Sequence, residues 1–512
     1  MHKRLLHIAL AALTALTLTG CAERVDFENK DVAADKTELT LVLHEGEVEK
    51  LDQLPALESV DLSGSECYAE IIDWAEAHPD VAVKYTVAFP DGTAALNTDE
   101  ALSLGSISPD DAARAALLAS YLPALKMLDL SGAGLSPAGA YEFYKALDGV
   151  EINYSTTLLG QTVDYATESL NLSAITPAEL SAALETLPYL PALRSVELGS
   201  ETTTALGFDD IAALVNACPQ ADFNFSFTLY GKSFTLLDEE MDLNHIKIED
   251  GGALVSSVVA CMKNLRYLDM DSCGVSNTDM AAIRDRYPDV KVVWRVWFGD
   301  FYTARTDVEK ILASKPSAGG ELRDSDAESL KYCTEVKYLD IGHNEHFGDI
   351  SFISYMPKLE VAVLAMDPIA DISPLANCPE LEYLELQTND KLSDLSPLAG
   401  LTKLEHLNVA RCAQISDITP LYNLTNLKRL WLGRTRQVPQ EQIDELFVRL
   451  PDTTINTTVW EDPTGEHWRV TDLNTTTWMY SYDERYELLC EQFGYLQGDY
   501  SLPGNDPLYN AH

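Results

Sequence analysis

The sequence predicts an α/β fold, a curved solenoid that winds as a right-handed β–α superhelix and ends in a C-terminal cap. Two observations predict it. The spacing L-x-x-L-x-L recurs in register over most of the chain, and each copy is followed by a second apolar set with the spacing of a helix or a turn. One such unit cannot bury its own leucines, so it requires a copy above and a copy below.

The stretch 381–401 shows the repeat most clearly. Leu381, Leu384 and Leu386 describe a short strand whose leucines point inward. Asn389 follows, and its amide can bond the backbone of the turn that ends the strand. Further leucines are spaced for a turn that runs back behind the strand.

The first part of the chain repeats with a long period. Equivalent motifs begin 68 to 72 residues apart, at Leu57, Leu125, Leu193, Leu265 and Val336. Each long unit is predicted to hold about three strands and two helices, because helical i, i+3, i+4 faces alternate with period-two runs. A glycine is expected to turn the chain after each period-two run: Gly92, Gly160, Gly231 and Gly299.

From Val336 the period shortens to 22 or 23 residues, with starts at Val336, Leu359, Leu381, Leu404 and Leu427. The helices shrink to Ser-Pro-Leu or Thr-Pro-Leu, which suits one 3₁₀ turn. The segments I-A-D-I-S-P-L, L-S-D-L-S-P-L and I-S-D-I-T-P-L resemble the internalin type of leucine-rich repeat, and the longer units resemble leucine-rich repeats that carry helices. The resemblance implies a leucine-rich-repeat solenoid used for adhesion or partner binding, but fold analogy does not choose the ligand.

The N-terminus carries an export signal. Basic residues precede a mostly apolar run, 5–18, that is too short to span a bilayer as a helix. The run ends in Leu-Thr-Gly before Cys21, a pattern that resembles the lipobox of bacterial lipoproteins. The resemblance implies that residues 1–20 are a removed signal peptide and that Cys21 carries fatty acyl chains such as palmitate. It also implies a lipid anchor at the extracytoplasmic face of a bacterial cell membrane. The alternative is an ordinary signal peptide with an incidental cysteine.

The remaining boundaries follow from the repeat pattern. Residues 21–36 are predicted to form a polar tether, 37–335 the long-period repeats and 336–450 the short-period repeats. Residues 451–512 carry no repeat and are rich in aromatic side chains. Because a solenoid must cover its last open core face, this segment is predicted to be the C-terminal cap.

Composition and motif content exclude several classes. The chain has 36 Lys and Arg against 81 Asp and Glu, a formal charge of −45 that repels phosphate backbones, so nucleic acid is not an expected partner. It contains none of the common catalytic or phosphate-binding motifs, and His343 and His346 are interpreted as part of a solvated loop rather than a zinc site. We therefore expect no enzyme, no cofactor and no metal. The oligomeric state does not follow from the sequence.

The candidate ligand-binding residues lie between the core leucines. In L-x-x-L-x-L the intervening side chains point away from the core onto the concave face, and successive repeats stack them into columns. Adjacent strands lie about 4.8 Å apart, so these columns bring basic and aromatic side chains, the usual anchors of interfaces, into one patch. The predicted patch consists of Tyr383, Glu385, His406, Arg411, Arg429, Trp431 and Arg434.

Two alternatives for this patch stay open. In the first, the arginines of the patch neutralise neighbouring carboxylates and the cap covers Trp431. In the second, the adjoining apolar strip of Val361, Val363 and Met366 binds a protein partner.

The sequence thus favours a lipid-anchored surface protein that recognises a protein or glycan ligand without catalysis. The rival is a structural or assembly component of the cell envelope, whose acidic surface keeps it soluble. In a recognition protein the Arg and Trp patch should be uncovered, whereas in a structural component these residues should be paired or capped.

Overall fold

The computed structural model describes residues 24–28, 30–299, 302–314, 321–458, 468–474, 479–482 and 484–493. The predicted signal peptide and Cys21 lie outside the described residues, so both remain predictions. The chain forms two compact units, Met1–Phe225 and Ser226–His512.

The first unit alternates short strands with helices. Its strands are β1 (Arg24–Phe27), β2 (Lys30–Ala33), β3 (Glu38–Thr40), β4 (Ser59–Asp61), β5 (Ala82–Lys84), β6 (Thr86–Ala88), β7 (Ala94–Leu96), β8 (Ala101–Ser103), β9 (Met127–Asp129), β10 (Glu151–Asn153), β11 (Ser155–Leu158), β12 (Gln161–Asp164), β13 (Ser169–Asn171), β14 (Ser195–Ser200) and the start of β15 (Asp222–Leu229). Its helices are α1 (Tyr68–Ala77), α2 (Ala112–Ser120), α3 (Pro137–Ala146), α4 (Leu180–Thr186) and α5 (Phe208–Ala217), with 3₁₀ turns at Val48–Gln53, Pro109–Asp111 and Leu187–Tyr189.

Parallel strand pairing carries the repeat through this unit. Strands β3, β4 and β5 pair in parallel, as do β8, β9 and β10. The register aligns the inward residue of each strand, so that buried Leu128 of β9 lies opposite Leu102 of β8. Buried residues between Val25 and Tyr154 therefore form one continuous core, which confirms the predicted stacking in this part of the unit.

A long unit contains more strands than the predicted three. In the units that contain β5 and β10, the single period-two strand is in fact two strands, and a buried aromatic residue stands where parallel pairing changes to an antiparallel hairpin. In the third long unit the run stays one strand, β15. Tyr85 stands between β5 and β6, and Tyr154 stands between β10 and β11. The hydroxyl of Tyr85 donates to the carbonyl of Tyr121 at 2.7 Å and fixes this switch point. The predicted turn glycines are confirmed, with φ of 89°, 76°, 85° and 59° at Gly92, Gly160, Gly231 and Gly299.

The segment predicted to be a tether is partly structured. β1 and β2 form an antiparallel hairpin, and Val25, Phe27 and Val32 are buried in the core of the first unit. The alternation of apolar and polar residues in Arg-Val-Asp-Phe is typical of a strand. The prediction that residues 21–36 form a polar tether was therefore wrong for the residues of this hairpin.

The second unit begins with long repeats and continues with short ones. Its further strands are β16 (Lys232–Thr235), β17 (Glu240–Asp242), β18 (Tyr267–Asp269), β19 (Lys291–Val293), β20 (Arg295–Phe298), β21 (Tyr302–Arg305), β22 (Lys310–Leu312), β23 (Tyr338–Asp340), β24 (Val361–Val363), β25 (Tyr383–Glu385), β26 (His406–Asn408), β27 (Arg429–Trp431), β28 (Thr454–Asn456), β29 (Val470–Asn474) and β30 (Met479–Tyr482). Its helices are α6 (Ala253–Val259), α7 (Asn277–Arg286), α8 (Ala327–Leu330), α9 (Gln440–Arg449) and α10 (Glu484–Phe493), with 3₁₀ turns at Asp324–Asp326, Ser351–Tyr355, Ser373–Asn377, Ser396–Gly400 and Thr419–Asn423.

Strands β22 to β28 form one parallel sheet of seven strands. The three Ser-Pro-Leu and Thr-Pro-Leu segments form 3₁₀ turns, as predicted. The side chains that face away from these turns define the front face of the sheet.

Buried polar side chains connect the short repeats at the ends of their strands. The amide of Asn389 donates to the carbonyls of Leu364 and Leu386 at 2.9 and 2.8 Å. In the next repeat Cys412 fills the same position, and its thiol donates to the Leu386 carbonyl at 3.1 Å. The cysteine thus supplies one of the two hydrogen bonds that asparagine makes, which explains why the asparagine column tolerates it.

Candidate functional site

The front face of the short repeats is built from two columns of side chains. Parallel register places the third-position residues opposite one another in the order Tyr338, Val361, Tyr383, His406 and Arg429. The same register aligns the fifth-position residues in the order Asp340, Val363, Glu385, Asn408 and Trp431. The predicted columns therefore exist in the structure.

Most of the predicted patch is buried. Tyr383, Glu385, His406, Arg429 and Trp431 expose between 0% and 9% of their surface. Arg411 and Arg434 are exposed at the edge of the sheet. The structure therefore brings the predicted residues together but divides them into a covered centre and an exposed rim.

The cover comes from the segment that follows the repeats. The indole of Trp468 lies 5.6 Å from the ring of Tyr383 and 5.6 Å from the ring of Trp431, measured between centroids. Leu489 and Phe493 of α10 join the same cluster, which also buries the apolar strip residues Val361 and Val363 of the front face. The segment predicted to cap the end of the solenoid thus packs, in its described part, on the front face of the sheet.

Glu385 is the polar centre of this interface. Arg469 donates to its two carboxylate oxygens at 2.8 and 2.7 Å, and the indole Nε1 of Trp468 donates to Oε1 at 2.8 Å. Tyr383 and Gln387, which belong to the same repeat, donate to the carboxylate as well. Burial on its own raises the pKa of Glu385, but the charge of Arg469 and these hydrogen bonds outweigh it and lower the pKa to about 2.

A cation and two indole rings line the neighbouring part of the face. The guanidinium of Arg429 lies 4.1 Å from the ring centroid of Trp431 and 5.9 Å from that of Trp468. These distances permit a cation–π interaction, which is strengthened where water is excluded. The two sequence-predicted residues are therefore part of the same buried cluster as Trp468.

The exposed rim follows from the backbone of the turns. Met366, Thr388, Arg411 and Arg434 each adopt a left-handed conformation, with φ between 64° and 69°. Backbone hydrogen bonds link successive turns, such as the 2.7 Å bond from the Arg411 nitrogen to the Gly433 carbonyl. This repetition places the two arginine side chains in one column, beside the face that the C-terminal segment covers.

A second buried ionic cluster lies on the long repeats of this unit. Arg295 donates to both carboxylate oxygens of Asp271 at 2.9 and 2.7 Å, and both side chains are 1% exposed. Arg305 pairs with Asp269 at 3.0 Å and donates to the hydroxyl of Tyr267. Both arginines belong to the hairpin of β20 and β21, so the cluster fastens that hairpin to β18 and the turn after it.

In the described part of the chain, no three His, Cys, Asp or Glu side chains converge to hold a metal ion. His343 is exposed, and His346 lies 3.9 Å from Glu321. All eight described cysteines are buried. Within the same residues no helix has the length and apolar character that crossing a bilayer requires.

A scan against protein-family models and a search of curated proteins both find no match. Solved structures similar to this chain include an internalin from Listeria monocytogenes, at 16% identity over 84% of this chain and 84% of that chain, with a TM-score of 0.23. A leucine-rich-repeat protein from Leptospira interrogans is 15% identical over 80% of this chain and 91% of that chain, with a TM-score of 0.26. An internalin C2 from Listeria monocytogenes is 18% identical over 60% of this chain and 100% of that chain, with a TM-score of 0.16. At such low TM-scores the likeness does not extend to function, and the repeat architecture rests on the parallel strands of the chain itself.

Proposed function

We propose that this protein is an exported, lipid-anchored recognition protein that binds a protein ligand on the front face of its short repeats, without catalysis. Export and anchoring rest on the resemblance of the segment before Cys21 to a lipobox. Binding rests on the way the front face holds the C-terminal segment.

The observation that carries the proposal is the set of directed hydrogen bonds from Trp468 and Arg469 to Glu385. A cap that only shields core leucines needs apolar contacts and no buried charge. Here a segment outside the repeats lies on the outward-facing columns and satisfies a buried carboxylate. Side-chain-specific contact of this kind is what a ligand-binding face must make.

The rival proposal, a structural component of the cell envelope, is favoured by one fact. Arg429 and Trp431 are covered, as that proposal expects. The exposed rim favours recognition, because Arg411 and Arg434 form a basic edge on a chain of net charge −45. We propose that this edge contacts the same ligand and adds charge complementarity at the border of the interface.

A binding screen of the full chain against exported proteins and glycans tests the proposal. We expect a protein ligand whose affinity falls at least tenfold in folded Val363→Asp, which places a charge within the buried apolar cluster of the front face, and is unchanged in Arg436→Ala, an exposed control near the rim. If the screen finds a glycan ligand instead, the proposal of a protein ligand is wrong. If ligands bind Val363→Asp as tightly as the unaltered chain, the front face is not the binding surface, and if the screen yields no ligand, the structural alternative stands.

A further inference from the structure

We propose that the seat around Glu385 recognises a protein segment in which an arginine adjoins an aromatic residue, and that Trp468 and Arg469 occupy this seat as an internal substitute. The seat is Glu385 with Tyr383, Gln387 and Trp431. This inference rests on the proposed function and adds the class of partner.

The seat is prepared by the repeats themselves. Tyr383 and Gln387 flank Glu385 in its own repeat, and both donate to the carboxylate. These two donors orient the carboxylate without any contribution from the C-terminal segment. Its remaining acceptor positions are those that Trp468 and Arg469 fill.

The geometry selects arginine rather than lysine. Arg469 uses Nε and one terminal nitrogen to bond the two carboxylate oxygens in parallel, at 2.8 and 2.7 Å. A guanidinium matches a carboxylate in this forked arrangement, whereas an ammonium is a single point charge. The adjoining aromatic residue is selected by the rings of Tyr383 and Trp431, each 5.6 Å from Trp468.

Stability alone does not require this arrangement. Burying an ion pair removes two charges from water, and well-packed apolar side chains of similar volume are often at least as stabilising. A purely structural cover for the neighbouring apolar residues Val361 and Val363 would therefore be apolar as well. A buried carboxylate that demands a forked cation is a specificity device instead.

Charge and connectivity define how a partner would bind. A net charge of −45 attracts basic segments over distance and accelerates their association. Arg469 is joined to the repeats by the chain and follows Glu385 by 84 positions. This covalent connection makes the internal contact intramolecular, so a free partner must compete with a segment that cannot diffuse away.

The test uses a fluorescent synthetic peptide with the sequence of residues 466–472, Glu-His-Trp-Arg-Val-Thr-Asp, and measures its binding to the full chain by anisotropy. We expect the double variant Trp468→Ala with Arg469→Ala to bind the peptide at least tenfold more tightly than the unaltered chain, because its seat is empty. Adding Glu385→Gln should reverse that gain, and a peptide with lysine in place of arginine should bind at least tenfold more weakly. Arg436→Ala is the matched control and should behave as the unaltered chain.

The inference is overturned if the folded double variant gains no affinity for the peptide, or if the gain survives Glu385→Gln. Should the double variant fail to fold, Arg469→Lys keeps the charge but loses the fork, and it must still bind the peptide more tightly than the unaltered chain. A protein ligand that binds the front face without competing with the peptide overturns this inference and leaves the proposed function intact. If no ligand binds the front face, the proposed function fails instead.

Discussion

Arg469 forms a forked ion pair with Glu385, a fully buried carboxylate 84 positions earlier in the chain. This pair joins the segment after the repeats to the centre of the sheet formed by β22 to β28. The sequence predicted this segment to be a terminal cap, but the segment contacts the front face of the sheet as a ligand would.

Removing the arginine should loosen the segment and destabilise the second unit. In Arg469→Ala the Glu385 carboxylate loses its cation while it stays buried under Trp468. The expected loss is about 2 to 4 kcal/mol in the free energy of unfolding, since an uncompensated buried charge is expensive. Urea unfolding measures this loss, and limited proteolysis reports whether the segment detaches.

Arg449→Ala is the matched control, because Arg449 pairs with Glu445 in the open, with both side chains about half exposed. The loss of unfolding free energy in Arg449→Ala should stay below about 0.5 kcal/mol. Equal losses of unfolding free energy in Arg469→Ala and Arg449→Ala would contradict the conclusion that the buried pair of Arg469 and Glu385 stabilises the second unit.

Acid should release the same contact. The pKa of Glu385 is lowered from 4.5 to about 2 on folding. A lowered pKa contributes stability that is present above pH 4.5 and is lost as the pH falls towards 2, because only the unfolded chain binds the proton in that interval. We therefore expect Trp468 fluorescence and protease resistance of the segment to change between pH 4.5 and 2. In Glu385→Gln this part of the pH dependence should be absent, whereas Glu445→Gln should retain it.

The sequence predicted the repeats well, but it offered the cover over Trp431 only as an alternative and did not predict the contacts with Glu385, for a physical reason. Leucines such as Leu384 recur with a fixed period, so their burial can be inferred from neighbours of the same kind. Trp468 and Arg469 belong to no repeat, and their contact with Glu385 depends on how a non-repeating segment crosses the sheet. The one readable signal was Glu385 itself, an acidic residue between Val363 and Asn408 in its column, which needs a partner if anything covers the face.

Asp367→Asn should stabilise the second unit. Asp367 occupies the position of Asn389 one repeat earlier, and its Oδ1 accepts from the Asn344 nitrogen at 2.6 Å. Burial raises the pKa of Asp367 to about 9, so the folded carboxyl is neutral where the unfolded one is ionised. Stability therefore falls as the pH rises from about 4 to 9, and asparagine, which cannot ionise, removes this loss.

We expect a gain of roughly 2 to 4 kcal/mol at pH 8 and a much smaller one at pH 4, measured by urea unfolding at both values. The control is Asp371→Asn, because a hydrogen bond from the Ser373 nitrogen lowers the pKa of Asp371 instead. A pH-independent effect of Asp367→Asn would show that Asp367 is already ionised in the folded protein.

The pair of Arg295 and Asp271 should carry the largest single electrostatic contribution to the hairpin of β20 and β21. Its forked geometry at 2.9 and 2.7 Å is shielded from water, with both side chains 1% exposed. Arg295→Ala leaves Asp271 buried beside Arg305, which lies 3.5 Å away and compensates part of the lost charge. We therefore expect Arg295→Ala to lose about 3 kcal/mol in the free energy of unfolding, at the lower end for a broken buried pair.

Hydrogen exchange of Arg295→Ala should show that the opening is confined to the hairpin. The control is Arg24→Ala, which breaks an exposed pair with Asp31 and should cost less than about 0.5 kcal/mol. Unchanged exchange at Val296 and Ala304 in Arg295→Ala would contradict the role of this cluster in fastening the hairpin.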